Sequence, residues 1–242
     1  LLEREQKLIL WKDNFNKKPL FYHIYKNGLK FASEAKALKS LDVHFEVNHE
    51  AVINYIFEIT IGKNEQSFFK NIQQIKNGAL VYYSISHEGK IVQEKVEQYW
   101  HYPQKARKIK YQEAVEEFRN LLTDAVNTRL AEEVDYAVMI SGGLDSSSVA
   151  SFAAKYNSSK SITSISAVYP GDEKDESYFA KLVTDKYSNL NPIWVDDINH
   201  EKFHENVNDV IYHLESPIAD GSLIAQHILM KKIREKGIKV IL

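Results

Sequence analysis

Cysteine is missing from all 242 residues. Disulfides, cysteine–zinc centres and a cysteine nucleophile are therefore excluded within this stretch, and a reducing cytoplasm is the simplest compartment for it. No apolar run approaches the roughly 20 residues that a membrane helix needs. Blocks of like charge are absent too. The formal net charge is -2, so no global field draws nucleic acid or an acidic lipid surface. The opening LLEREQKLIL alternates charge with leucine, unlike a signal peptide. There are no internal repeats and no low-complexity tract. With 44% hydrophobic and 26% charged residues there is ample apolar material for a core. The length suits one or two domains of roughly 150 residues. The sequon at Asn157-Ser158-Ser159 reads as chance beside this intracellular character.

The first hundred residues read mostly as strands. PLFYHIY and LKFAS flank KNG, and Asn27-Gly28 is a hairpin-turn signal. ALVYYSIS and KIVQEKVEQYW flank a second short turn around Gly89. Between the two pairs, NHEAVINYIFEI has helical spacing, with Asn48 as its N-cap. The tyrosines and phenylalanines of this half alternate along strands and are expected in the core.

The character changes after Trp100. HYPQKARKIKY is polar and carries a proline, as a linker does. YQEAVEEFRNLLTDAVNTRL then places Val115, Phe118, Leu122, Ala125 and Val126 on one helical face. Strands and helices alternate from there: DYAVMI, SSVASFAAKY, ITSISAVY, DESYFAKLVTDKY and PIWV. Two helices follow, the second capped by Gly237, and IKVIL begins another strand. Such alternation predicts an α/β fold, a parallel sheet with helices on both faces.

Lysine is the next informative absence. SGGLDSS follows the strand DYAVMI where ligands of open parallel sheets bind. A Walker A loop would carry Gly-Lys-Ser/Thr, and no lysine follows here. Gly142 and Gly143 permit a tight turn and close backbone approach. The N–H groups from Gly143 to Ser147 are expected to face outward at a helix N-terminus, an anion site by dipole and by unpaired donors. Ser141, Ser146 and Ser147 add hydroxyls. Asp145 is repulsive beside an anion unless a hard cation such as Mg²⁺ bridges carboxylate and phosphate oxygens.

This string resembles the pyrophosphate loop of the N-type ATP pyrophosphatases, a family that includes GMP, NAD and argininosuccinate synthetases and several tRNA-modifying enzymes. The first half narrows the choice. Asp13, Pro19, Leu20, Phe21, Tyr22, then Ala32, Ser33, Glu34, Lys36, Ala37 and Leu38 resemble the end of a class II glutamine amidotransferase domain, with Lys12 and Asn16 replacing the usual arginine and glycine. FFKNIQQIKNGALVYY and QYW resemble the asparagine synthetase pattern, with Asn77 where proline is common.

Together the halves have the layout of glutamine-hydrolysing asparagine synthetases. The resemblance implies the end of an αββα-type amidotransferase domain over 1–100, a linker over 101–110, and an adenine nucleotide alpha hydrolase-like ATP pyrophosphatase domain over 111–242. It implies ATP and Mg²⁺ as cofactors and aspartate and glutamine or ammonia as substrates. Ser141, Gly142, Gly143, Asp145, Ser146 and Ser147 match the pyrophosphate loop, with Asp145 as catalytic Mg²⁺ ligand. Met139 and Ala167 match positions whose main chain contacts adenine. Glu215 and Asp220 match a stretch near the acyl substrate, with helix capping as their alternative. The family's N-terminal cysteine, oxyanion residues and second ATP loop have no counterpart here, so these residues are expected to be an internal part of a longer protein. β-Lactam synthetases and lasso-peptide cyclases share the layout and adenylate other carboxylates, and a non-catalytic nucleotide-binding fragment is a further alternative. A cytoplasmic protein without nucleic-acid or membrane partners is expected, and a homodimer is admitted.

HEKFH at His200–His204 matches the zincin pattern, but three fixed positions recur by chance and no third ligand context is evident. Asp196, Asp197 and Asn199 read as helix-start chemistry. In YPGDEKDESYFA, Asp175 or Glu176 is expected to stabilise the next helix N-terminus.

Overall fold

A computed structural model describes residues 2, 5–26, 28–59, 65–130 and 134–242. They form two compact units. One comprises Leu1–Ala106 with Ile211–Ala219, the other Arg107–Val210 with Asp220–Leu242.

The first unit holds two antiparallel sheets. β1 (Lys7–Trp11), β5 (Ala79–Ile85) and β6 (Ile91–Gln98) form one, in the order β1-β5-β6. β2 (Phe21–Tyr25), β3 (Gly28–Ala32) and the short β4 (Gln73–Gln74) form the other, in the order β3-β2-β4. Alternation decides which side of each strand is covered. Along β5, Ala79, Val81 and Tyr83 are buried while Leu80 and Tyr82 are half-buried. Those three pack with Leu10 of β1 and Tyr22 of β2 in a core between the sheets. The other face of β2 presents Phe21 to Ala35 and Leu38 of the short helix α1 (Ala35–Lys39), beside Val43 and Ile72.

Both expected hairpins form. β2 pairs with β3 from Phe21↔Ala32 to Tyr25↔Gly28, so Gly28 is a strand residue and Asn27 lies outside the described residues. β5 and β6 join through Gly89, whose φ of +78° needs glycine. Asn48 caps α2 (His49–Glu58) by accepting the Ala51 N–H at 3.2 Å. The five-residue α1 is too short to show a helical period in sequence. The expectation of aromatic residues in the core holds for Phe21, Tyr22, Tyr55 and Tyr83. It fails for Phe15, Tyr25, Phe31, Phe57 and Tyr102, which are exposed. Asp13 shapes the loop after β1: its carboxylate accepts the N–H groups of Phe15, Lys17 and Lys18 at 2.9–3.0 Å. Those backbone bonds hold its carboxyl below the usual range.

The second unit is the expected parallel sheet. β7 (Tyr136–Met139), β8 (Ile162–Ala167), β9 (Leu190–Val195) and β10 (Val240–Ile241) lie in the order β10-β7-β8-β9, every neighbouring pair parallel. Alternate residues Tyr136, Val138 and Ile140 join Val126 of α3 (Tyr111–Asn127), Ala150, Ala153 and Ala154 of α4 (Leu144–Tyr156) and Ala180 of α5 (Ser177–Lys186) in one core. Three alanines on α4 let that helix approach the strands closely. α7 (Ser222–Glu235) contacts β8 and buries Ile224, Ile228, Leu229 and Ile233. Each such side chain contributes about 1.5–3 kcal/mol of transfer free energy. Gly237, with φ of +79°, donates its N–H to the Arg234 carbonyl at 2.9 Å and ends α7 as expected.

One expected core position fails. Leu122 packs on the core and Val126 is buried, but Phe118 of α3 is 67% exposed. α3 turns only its C-terminal half toward the strands, so its periodicity identifies the helix without locating the covered end.

Candidate nucleotide site

β7 ends at Met139, and Ile140 to Gly143 carry the chain over the carboxyl edge of the sheet into α4. β8 and β9 lie on one side of β7 and β10 on the other. The strand order therefore reverses at β7, which is where an open parallel sheet leaves a ligand crevice beyond its carboxyl ends.

Gly142 has φ of +96°. A Cβ built there would lie 2.4 Å from the Glu176 carbonyl oxygen and 2.9 Å from the Glu176 Cβ. Glycine is thus needed for both its backbone conformation and the approach of the segment before α5. Asp175, and not Glu176, stabilises the start of α5. Its Oδ1 accepts the Ser177 N–H at 2.9 Å, which holds the carboxyl below its ordinary range. Glu176 serves instead through its backbone, against Gly142. Sequence reasoning missed that contact because no local pattern joins residues so far apart in the chain.

The serines brace the loop. Ser146 Oγ accepts the Ser141 N–H at 3.1 Å and lies 2.9 Å from Ser141 Oγ. It also donates to the Gly143 carbonyl at 3.3 Å, while Ser141 Oγ accepts the Gly143 N–H at 3.2 Å. The Ser147 N–H donates to the Gly143 carbonyl at 3.1 Å. The expected row of open donors from Gly143 to Ser147 is therefore narrower. The N–H groups of Leu144, Asp145 and Ser146 stand in the first helical turn, where a helix supplies no acceptor of its own. Those donors lie at the positive end of the α4 dipole, in the same first turn as the exposed Asp145.

Met139 and Ala167 sit at the carboxyl ends of the adjacent strands β7 and β8, and Met139 pairs with Ile165. The Met139 N–H is committed to the Leu242 carbonyl at 3.0 Å, so any contact with a base would use its carbonyl.

Glu215 and Asp220 take different parts. Asp220 Oδ1 accepts the Ser222 N–H at 2.7 Å at the start of α7, and the Ser222 side chain together with that backbone bond holds its carboxyl below the ordinary range. Glu215, at φ of +55°, turns to α1 of the first unit. Its Oε2 accepts the Ala35 N–H at 2.7 Å, its Oε1 accepts the Lys36 N–H, and Lys36 Nζ lies 3.6 Å from Oε1. Glu215→Ala is expected to strip the α1 N-terminus of this cap and to lower stability by about 1–3 kcal/mol in urea unfolding. An unchanged midpoint would make the cap dispensable.

HEKFH opens α6 (His200–Leu214), with Glu201 and His204 exposed and the His200 side chain outside the described residues. Asn199 Oδ1 accepts the Lys202 N–H at 3.0 Å, the helix-start role read from sequence. Among the described residues no group of three or more His, Cys, Asp or Glu side chains is placed to hold a metal. Among them, too, no helix is long and apolar enough to cross a membrane.

A parallel sheet with a glycine-serine loop opening a helix at its switch point is an α/β arrangement suited to receive an anion. Comparison with known families agrees. The asparagine synthase family matches residues 117–242, just over half of the chain, and a glutamine amidotransferase domain matches residues 2–100. The chain belongs to the asparagine synthase family, with an amidotransferase region preceding the synthase region. Similar curated proteins include asparagine synthetase (glutamine-hydrolyzing) 2 of Bacillus subtilis (strain 168), 28% identical over 88% of this chain and 28% of the relative. Amidase chyE of Penicillium rubens is 27% identical over 98% of this chain and 36% of its own length. Amidase chry2 of Gibberella zeae is 25% identical over 99% of this chain and 37% of its own length. The chain thus spans about a third of the length of these relatives.

Proposed function

We propose that the Ser141–Ser147 loop holds the pyrophosphate part of ATP and that the whole protein makes an amide through an acyl adenylate. The observation that carries this reading is the set of open N–H groups from Leu144 to Ser146 at the sheet's switch point, beside Asp145. In this reading residues 1–100 are the end of a glutamine amidotransferase domain, 101–110 a linker, and 111–242 the ATP pyrophosphatase domain. The side-chain carboxylate of aspartate attacks the α-phosphorus, and pyrophosphate leaves. The open N–H groups and the α4 dipole stabilise the charge gathering on it. Asp145 is the residue that would hold Mg²⁺, which would supply positive charge to offset the charge gathering on the phosphates. The main chain of Met139 and Ala167 would receive adenine. Ammonia released from glutamine then attacks the β-aspartyl adenylate, giving asparagine and AMP.

A second reading, in which the same loop activates a carboxylate other than aspartate, is kept because the chain also aligns over nearly its whole length with proteins not named asparagine synthetases. A binding fragment without catalysis is the third. The test incubates the full-length protein with MgATP and a panel of carboxylates and amines. AMP, pyrophosphate and asparagine with aspartate support the first reading. AMP and pyrophosphate with another carboxylate favour the second. No turnover with any of them favours the third, and ADP with phosphate rejects the reading of the loop.

A further inference from the structure

A cleft of about 830 Å³ opens within the first unit, lined among others by Lys12, Phe21, Glu65, Gln74, Trp100 and Tyr102. Lys12 follows β1 and is 3% exposed. Its backbone is held from both sides: the N–H donates to the Ala79 carbonyl at 3.1 Å, and the carbonyl accepts the Tyr99 hydroxyl at 2.9 Å. Its ammonium donates to Gln74 Oε1 at 3.3 Å, a neutral acceptor. Among the described residues its other two donors have no partner, and Lys12 lines the cleft.

The neighbouring acids do not neutralise it. The Asp13 carboxylate is taken up by three backbone N–H groups, and Glu65 is exposed. A buried ammonium without an anionic partner is costly. Burial pulls the Lys12 amine down to about 8, against the opposing pull of Asp13 and Glu65. The cleft therefore contains a cation held only by a neutral acceptor, aromatic walls, and two carboxylates, of which Glu215 is committed to α1 and Glu65 is exposed and pairs with no lysine or arginine among the described residues.

We infer that this cleft binds a small organic carboxylate whose counter-charge is Lys12. The aromatic walls cover the apolar body of such a ligand and Gln74 orients the lysine toward it. The site is separate from the Ser141–Ser147 loop and does not rest on the function proposed for it.

The pH dependence follows from the lysine. Below about 8 the amine is protonated and binding is strongest. Above that, affinity falls by about tenfold per pH unit as the proton is lost. Among the described residues the other charged or titratable groups at the cleft are Asp13, Glu65, Lys76, His101, Tyr102 and Glu215. A bound carboxylate raises the lysine's own titration.

The test uses the full-length protein, with succinate as probe and succinamide as its uncharged counterpart. Limiting acetic anhydride labels amines at a series of pH values, and mass spectrometry reads the Lys12 peptide. Succinate is expected to move Lys12 labelling to higher pH, succinamide to leave it in place, and the exposed Lys17 to respond to neither. Calorimetry should find succinate binding retained in Lys12→Arg, without the loss between pH 7 and 9, and abolished in Lys12→Met. Lys12 labelling unmoved by succinate, or equal binding by Lys12→Arg and Lys12→Met, overturns the proposal. Because the labelling is done on the unsubstituted protein, a misfolded Lys12→Met variant does not blunt the test.

Discussion

Alanine in place of Asp145 is expected to reduce pyrophosphate release by about 10²- to 10³-fold in the full-length protein, the range for removing one electrostatic stabiliser of a developing charge. The side chain is exposed in the first turn of α4 and, among the described residues, makes no hydrogen bond that shapes the loop. The variant should therefore unfold at the same temperature as the parent. If the carboxylate acts by holding Mg²⁺, raising the Mg²⁺ concentration should recover part of the lost rate. Undiminished pyrophosphate release would remove Asp145 from the site. A parallel fall in melting temperature would mean that the residue acts on structure instead.

Gly142→Ala is expected to have a comparable effect by a different route. A side chain at φ of +96° carries about 1–3 kcal/mol of strain. Its Cβ would also have to displace the Glu176 carbonyl, 2.4 Å away, and backbone cannot swing aside as a side chain can. The loop and the start of α5 must separate, shifting the open N–H groups from the position proposed for the phosphate. A displacement of about 1 Å at such a site costs about 10²-fold in rate. Gly143→Ala supplies the contrast. Gly143 has φ of -66° and ψ of 161°, open to any residue, and a Cβ there meets only Ser141 Oγ at 3.3 Å. Its stability should stay within about 0.5 kcal/mol of the parent. Equal pyrophosphate release by Gly142→Ala and Gly143→Ala would show that the contact with Glu176 does not matter.

Much of this architecture was legible along the chain. Alternation in ALVYYSI, the Asn48 cap and the strand–helix order after Tyr111 reflect interactions between residues a few positions apart, the range that sequence periodicity reports. SGGLDSS was legible for the same reason: a tight turn, a helix start and a carboxylate follow one another directly. What stayed hidden depends on neighbours distant in the chain. Phe118 belongs to an apolar stripe, and its exposure follows only from where α3 ends against the strands. Five residues from Ala35 to Lys39 are too few to show a helical period, and the cap on their first turn comes from Glu215.

Composition and local order by themselves determined an α/β chain, cysteine-free within these residues, with a candidate anion loop after DYAVMI. The tertiary structure decided which donors of that loop stay open. Ser141, Ser146 and the Gly143 carbonyl consume their own neighbours, leaving Leu144 to Ser146. It also decided that Gly142 must be glycine, through an approach by Glu176, and that Lys12 is a buried cation beside a cleft. The physical reason is common to all three. Hydrogen-bond occupancy, steric room and desolvation are properties of what surrounds an atom, and the surroundings of these atoms are assembled from segments that only folding brings together.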